Sequence, residues 1–187
     1  DRASDALPVA NFLMRASFQI YWDAARRIMP ALERVVIRTY RDMDDALAWE
    51  LRAARAPVAG DTVRIGALPD YADHRMLAMR SGGHALGALI VCAACGYGPE
   101  QGPFPALGAW FHHYTIARQL HDDAHDWSRD LARGHITSVA AMMLHMQPFH
   151  VVGPRERAVL QQVFWERGIE KAAEAIGRHM NAAHHAL

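Results

Sequence analysis

The sequence predicts an all-α fold, a helical bundle, and three observations predict it. Proline and glycine breaks are grouped at a few positions, and the segments between them are rich in Ala, Leu, Met, Arg and Glu, which are good helix formers. No run alternates apolar and polar residues over a useful length, so strands are not expected. The 187 residues, 51% apolar and 21% charged, are typical of one globular domain spanning residues 1–187.

The N-terminal part predicts two helices, 8–28 and 31–55. Pro30 separates them, because proline lacks the N–H group that a helix interior needs. The second helix ends before a segment that contains Pro57 and Gly60, both of which favour turns.

The third predicted helix, 70–95, begins after Pro69 and contains the most apolar stretch of the chain, Ala85–Cys95. This stretch is too short to span a bilayer, so no transmembrane segment is predicted.

Cys92 and Cys95 form an isolated C-x-x-C without further zinc ligands or a βαβ pattern, so we expect both to pack in the core. Free cysteines and the lack of a visible signal peptide predict a cytoplasmic location.

The C-terminal part predicts three helices, 105–133, 137–147 and 154–183. Apolar residues recur at helical spacing in the last of them, with charged residues between, so we expect it to cover the core with one face. Lys and Arg together number 20, as do Asp and Glu, so no basic excess indicates a nucleic-acid partner.

The helix 105–133 carries the most informative pattern. Four carboxylates on one face repel one another unless cations lie against them. Oxygen-only ligands suit Mg²⁺ or Mn²⁺, and Mg²⁺ commonly shares a phosphate-bearing substrate. The alternative is a solvated acidic face, but apolar and aromatic flanks predict that this helix is central. Each residue of a helix is rotated by about 100° from the one before it. The side chains that therefore share one face, within an arc about 100° wide, are Gln119, Asp122, Asp123, Asp126 and Asp130.

Two motifs resemble the class I isoprenoid synthases. The Q-x-x-D-D-x-x-D run at 119–126 resembles the second aspartate-rich motif of trans-polyprenyl diphosphate synthases. Its continuation to His135 is similar to a stretch of squalene and phytoene synthases, which carry Arg at the position of His135. Upstream, the segment 79–88 is similar to a polyprenyl synthase segment whose Lys binds diphosphate just before a helix kink. Arg80 takes the place of that Lys and keeps its charge.

The resemblance, which covers roughly residues 42–137, implies a helical bundle of the isoprenoid synthase type. It implies metal-assisted ionisation of an allylic prenyl diphosphate, as in a terpene synthase (cyclase) or a prenyltransferase. The implied metal ligands for Mg²⁺, or Mn²⁺, are Asp122, Asp123, Asp126 and Asp130, the first three of which are catalytic together with Arg80. The implied substrate-binding residues are Arg80, Ser81, Gln119 and His135, with Phe111 and Tyr114 lining the pocket.

The first aspartate-rich motif of these enzymes has no clear counterpart here. The acidic cluster Asp42–Asp45 lies too close to Arg80 to match the first motif. Its distance from Arg80 along the chain fits a later helix of the family better, one that carries a G-Q-x-x-D element, loosely matched here by Ala48-Trp49-Glu50. We therefore expect this chain to be the C-terminal part of the full fold. Either a homodimer or a partner subunit that carries the first motif fits this pattern.

Two other functions stay open. His121-Asp122 and His125-Asp126 are doublets of the type used by HD-domain metal phosphohydrolases. However, both histidines point roughly 120–160° away from the centre of the acidic arc, so they and the carboxylates cannot bind one ion. The second alternative is a non-catalytic subunit of a heteromeric prenyl diphosphate synthase, which the apparent lack of the first motif allows. Such a subunit, however, has no need of four carboxylates that repel one another.

Overall fold

The helical content confirms the predicted all-α fold class. A computed structural model describes the backbone of residues 2–187 and the side chains of residues 12–187. No helix in this part is both long and apolar enough to cross a membrane. The α-helices of this part are α1 (Arg2–Ile28), α2 (Pro30–Ala53), α3 (Arg75–Arg80), α4 (Gly83–Ala94), α5 (Pro103–Ala132), α6 (Ser138–Met146), α7 (Pro154–Val163) and α8 (Ile169–Ala186). A short π-helical segment, Phe164–Gly168, joins α7 to α8.

Prolines begin three of these helices. Pro30, Pro103 and Pro154 are the first residues of α2, α5 and α7. Proline is favoured there because the first helical N–H has no intrahelical partner and the ring already holds φ at a helical value. The predicted breaks at Pro30 and before Pro154 are therefore confirmed.

The predicted helix 70–95 was wrong in two respects: helix begins only at Arg75, and the segment is two helices that part at Ser81 and Gly82. The glycines at the break let α2 come close. A Cβ on Gly82 would lie 3.3 Å from Thr39 Cγ2, and a Cβ on Gly83 would lie 3.3 Å from Met43 Sδ. The chain thus changes direction directly after Arg80, and α2 packs against the bend.

The expectation of no strands was wrong. Three short strands, β1 (Val58–Ala59), β2 (Thr62–Arg64) and β3 (Val151–Val152), form an antiparallel sheet in the order β1-β2-β3. Val63 and Val152 pair across β2 and β3 and are fully buried. Strands of two or three residues are too short to show a period of two, so only the tertiary pairing defines them.

The central helix of the bundle is α5, which packs along α8 and also contacts α3, α4 and α6. Near its C-terminal end, Trp127 and Leu131 join the largest core cluster, which includes the sheet. In its middle, Ile116 and Leu120 join a smaller cluster with α3 and α8. The acidic helix is therefore central, as its apolar flanks predicted.

The cysteines separate into two environments. Cys92 is buried in the cluster formed by α1, α2, α4 and the start of α5, which confirms core packing for this residue. Cys95 is exposed at the C-terminal end of α4, so the same prediction was wrong for it. Both are free thiols.

Candidate functional site

The two motifs meet in space at Arg80. Its guanidinium donates one hydrogen bond to Gln119 Oε1 on α5 and another, of 2.7 Å, to Glu50 Oε2 on α2. Arg80 and Gln119 lie 39 residues apart in the chain. The bend after α3 points Arg80 into the space between α2 and α5, so three helices contribute to one polar contact.

Glu50 is the centre of this polar group. It is buried, and its Oε1 lies 3.0 Å from Arg55 NH2 and 3.4 Å from His135 Nε2. Burial by itself raises the pKa of the Glu50 carboxyl. The hydrogen bond and charge of Arg80, with the charges of His135 and Arg55, outweigh that effect and lower the pKa below its ordinary value. Glu50 is therefore a buried carboxylate that holds two arginines and a histidine together.

The connection between α5 and α6 places His135. Its backbone N–H donates to Asp130 O at 2.9 Å, and a bridge to Arg55 ties it to the chain that follows α2. Burial lowers the pKa of the His135 imidazole, and the opposing charge of Glu50 does not restore it. Burial therefore favours the neutral form of the ring, whose Nε2 lies 3.4 Å from Glu50 Oε1.

Asp123 turns inward, away from the other carboxylates. It is buried, and its Oδ2 accepts hydrogen bonds from Ser138 N at 3.1 Å and Ser138 Oγ at 2.7 Å, at the start of α6. Burial raises the pKa of the Asp123 carboxyl, and the Ser138 hydrogen bonds and the charge of Arg80 offset this only in part. In this position Asp123 holds the N-terminal end of α6 against α5.

The remaining carboxylates lie toward solvent. The Asp122 side chain is 56% exposed and the Asp126 side chain 42% exposed, and Asp126 pairs with Arg129. Asp130 is half-buried. The predicted acidic face is thus divided, because the same arc borders α6 on one side and solvent on the other.

Metal binding would depend on the outer carboxylates. Among the residues that the structure describes, no three His, Cys, Asp or Glu side chains are grouped so that they could hold a metal ion. Asp122 and Asp126 are one turn apart, are accessible and offer only oxygen donors, which suits Mg²⁺ or Mn²⁺ bound with water and a phosphate. The donor chemistry fits these ions at Asp122 and Asp126, whereas Asp123 is already engaged by Ser138.

The histidine doublets face another direction. His121 and His125 contact each other through Nε2 atoms 3.3 Å apart on the exposed side of α5. They are not gathered with a histidine from a preceding helix, as an HD-type site requires. Within the described residues, no observation favours that alternative.

A cavity of about 550 Å³ lies between α2, α4 and α5. Ser81 and Phe111, two of the predicted substrate-binding residues, border it, and so does Met79, the residue before Arg80. Tyr114 does not line this cavity, because it stacks on Trp110 with ring centroids 4.6 Å apart. A larger cavity of about 1,100 Å³, in part formed by the chain between α1 and α2, contains none of the predicted site residues.

Two residues of this region were missed as site residues by the sequence analysis. Glu50 was noted only as a loose match to a family element, although its position on the same helix face as buried Ala46 indicates an inward carboxylate. Tyr71 donates a hydrogen bond of 3.0 Å to Ile136 O and packs edge-to-face against Trp49. Nothing in its sequence context indicated this, since it lies in an irregular segment before α3.

Comparisons with protein-family models, with curated proteins and with solved structures found no match to this chain. Membership of the isoprenoid synthase superfamily therefore stays a proposal that depends on the residues and geometry described above.

Proposed function

We propose that this chain binds an allylic prenyl diphosphate through Mg²⁺, as a class I terpene synthase or prenyltransferase does. The diphosphate would lie at the N-terminal residues of the acidic pattern, near Asp122, Asp126 and Arg80. The hydrocarbon chain would occupy the cavity beside Ser81 and Phe111.

One observation carries this proposal: the cavity and the outer carboxylates lie along the same stripe of α5. Phe111 and Thr115 line the cavity, and they lie eleven residues before Asp122 and Asp126 respectively. Eleven residues make about three full turns, so the members of each pair point in nearly the same direction, about 16 Å apart along the axis. A ligand with an anionic head and an apolar tail fits such a surface, and the cavity volume lies within the range of ligand pockets.

The basic residues have roles that follow from their contacts. Arg80 uses two of its five N–H groups on Glu50 and Gln119, and its side chain is 30% exposed, which leaves N–H groups for phosphate oxygens. Glu50 orients the guanidinium and keeps it in place. A bound Mg²⁺ would supply charge that stabilises the departing diphosphate.

A second candidate, a non-catalytic subunit, is favoured by a different observation. Arg80, Glu50 and Asp123 already satisfy one another or Ser138, as a purely structural network would. Among the described side chains, no buried nitrogen or oxygen lacks a hydrogen-bond partner. In this case the polar group would stabilise a fold whose chemistry takes place in a partner chain.

The test is thermal unfolding of the purified chain with Mg²⁺ and inorganic diphosphate, alone and together. We expect both together to raise the unfolding temperature, on the order of 5–10 °C at about a hundredfold excess over Kd. The double variant Asp122→Asn, Asp126→Asn should lose this shift, because it keeps the shape of both side chains and removes their charge. Asp123 is left unchanged because its loss would affect folding.

The matched control is Asp44→Asn, which neutralises an exposed carboxylate on α2 and should keep the full shift. A shift that persists in the double variant would place the site elsewhere, and no shift in the unaltered chain would contradict diphosphate binding. Incubation with geranyl, farnesyl and geranylgeranyl diphosphate then separates the two candidates, since binding without turnover favours the non-catalytic subunit. Tightly bound Fe, Mn or Zn in the purified protein would favour the HD-type phosphohydrolase instead.

A further inference from the structure

Four histidines from three segments form a cluster that contains no residue of the acidic pattern. His179 of α8 lies between two others: its Nε2 is 3.1 Å from His74 Nδ1, and its Nδ1 is 3.1 Å from His113 Nδ1. His112 stands beside His113, with ring centroids 5.0 Å apart. We call His74, His112, His113 and His179 the histidine cluster.

The cluster joins α8 to two other parts of the bundle. His74 is the residue before α3 and has a left-handed backbone, with φ 53°, while His112 and His113 belong to α5. The other charged groups that act on the cluster are Asp73 and Arg178, of opposite sign. The imidazole contacts therefore add a polar connection among the three segments, next to the apolar cluster of Leu77, Ile116 and Ala175.

The ring contacts restrict how many protons the cluster can hold. Each N···N contact needs one N–H and one free lone pair, and a neutral imidazole has one of each. When His74, His179 and His113 are all neutral, both contacts can be hydrogen bonds. Both can also be hydrogen bonds when His179 carries one extra proton. A second proton places two N–H groups against each other in at least one contact.

The face of α8 that packs along α5 carries mostly small side chains. Its fully buried residues are all alanines, Ala172, Ala175 and Ala183; Ile176 is only partly buried, and Ile169 and Met180 are exposed. Alanine buries little apolar area, so each contributes little to holding the helix. Segments with few large buried side chains are the ones that open locally before the rest of a protein.

We propose that the histidine cluster is a pH-sensitive latch that holds α8 against α3 and α5 near neutral pH and releases it in the mildly acidic range. Release would open the cavity of about 600 Å³ that Lys171, Glu174 and Arg178 of α8 line together with His74. This inference does not depend on the proposed diphosphate site.

The electrostatic environment agrees with the direction of the switch. Burial, followed by the charges of His74 and His113, lowers the pKa of His179 to about 4. Burial also lowers the pKa values of His74 and His112. The closed form therefore resists protons that the released form accepts near the ordinary histidine pKa of about 6.5.

The experiment is hydrogen exchange of the whole chain at about pH 7.5 and about pH 5.5, with rates corrected for intrinsic exchange. Each ring that must stay neutral in the closed form raises the opening constant about tenfold over this interval. With two such rings, we expect the opening constant of α8 to increase about a hundredfold from the higher to the lower pH. The opening constants of the α6 amides should change far less. His179→Gln, which cannot titrate, should reduce the change in α8 to a few-fold.

His184→Gln is the matched control, because it removes an exposed histidine from the same helix and should behave like the unaltered chain. His113→Gln is the second variant, in case His179→Gln unfolds, and it should also reduce the pH response. Unchanged α8 protection between the two pH values would overturn the proposal. An equal loss of protection in the unaltered chain and in both cluster variants would overturn it as well.

Discussion

A single carboxylate, Glu50, holds the polar contacts between α2, α3 and the connection after α5. Its two oxygens are shared among Arg55, Arg80 and His135 at distances between 2.7 and 3.4 Å. Removing one member of a buried charge group leaves the others without a counter-charge, which costs more than the net contribution of the pair. Stability and the proposed ligand contact of Arg80 therefore depend on the same residue.

At the residue scale, Glu50→Gln should lower the free energy of unfolding by about 2–3 kcal/mol near neutral pH, measured by urea unfolding. This is below the usual cost for a fully buried pair because Arg55 and Arg80 keep contact with water. The pKa of Glu50 is lowered, so its stabilisation is present above about pH 4.5 and is lost as the pH falls. The difference between the two proteins should therefore shrink in acid.

The control for this measurement is Asp44→Asn, an exposed position on the same helix, which should change stability by less than about 0.5 kcal/mol. Equal stability of Glu50→Gln and the unaltered chain at neutral pH would show that the polar group is not stabilising.

At the scale of elements, the turn between α5 and α6 positions both His135 and Ser138. Gly134 has φ +75°, and a Cβ there would lie 2.3 Å from Ala56 O and 2.8 Å from Val58 Cγ2. The turn also pairs with the segment after α2, since Ala56 N donates to Gly134 O at 2.8 Å. This turn is therefore fitted closely to the segment that begins the sheet.

Gly134→Ala should destabilise the protein by about 2–4 kcal/mol, because the left-handed backbone and the clash with a carbonyl oxygen add. The matched variant is Gly108→Ala within α5, where an added Cβ would meet nothing within 4 Å. This substitution should stabilise the protein by up to about 1 kcal/mol, because alanine favours a helix more than glycine does. Thermal unfolding of both variants measures the difference. Similar melting temperatures for the two would contradict the role given to the turn.

At the scale of the whole molecule, the lowered histidine pKa values predict acid sensitivity. Burial lowers the pKa values of His74, His112, His135 and His179, so below about pH 6.5 the unfolded chain binds more protons than the folded one. Asp123 acts in the opposite direction, because its raised pKa makes the folded form take up a proton first. The histidines outnumber it, and the lowered pKa of Glu50 acts in the same direction as theirs, so stability falls toward acid.

We therefore expect the unfolding temperature to fall steadily between about pH 7 and about pH 5, in a range where ordinary carboxylates do not titrate. The measurement is a series of thermal unfolding curves in buffers of equal ionic strength. His84→Gln, which alters an exposed histidine on α4, should leave the slope unchanged. An unfolding temperature that rises toward acid would contradict the directions of these pKa values.

The sequence by itself determined most of what is local in this protein. Helix-forming composition and prolines predicted the helices and the breaks at Pro30 and Pro154. Helical spacing also placed the carboxylates of α5 on one arc, since neighbours along a helix are set by its geometry alone. These features need no information from the rest of the chain.

The tertiary structure alone decided which polar groups are buried and with what partner. It turned Asp123 toward Ser138 and left Asp122 exposed, made Glu50 a shared carboxylate, paired β2 with β3, and brought His74 to His179 across 105 residues. Desolvation and pairing depend on elements that pack from elsewhere in the chain, and no periodicity within one helix records them. The same arc of α5 therefore became part interior and part solvent-exposed surface only when the bundle formed around it.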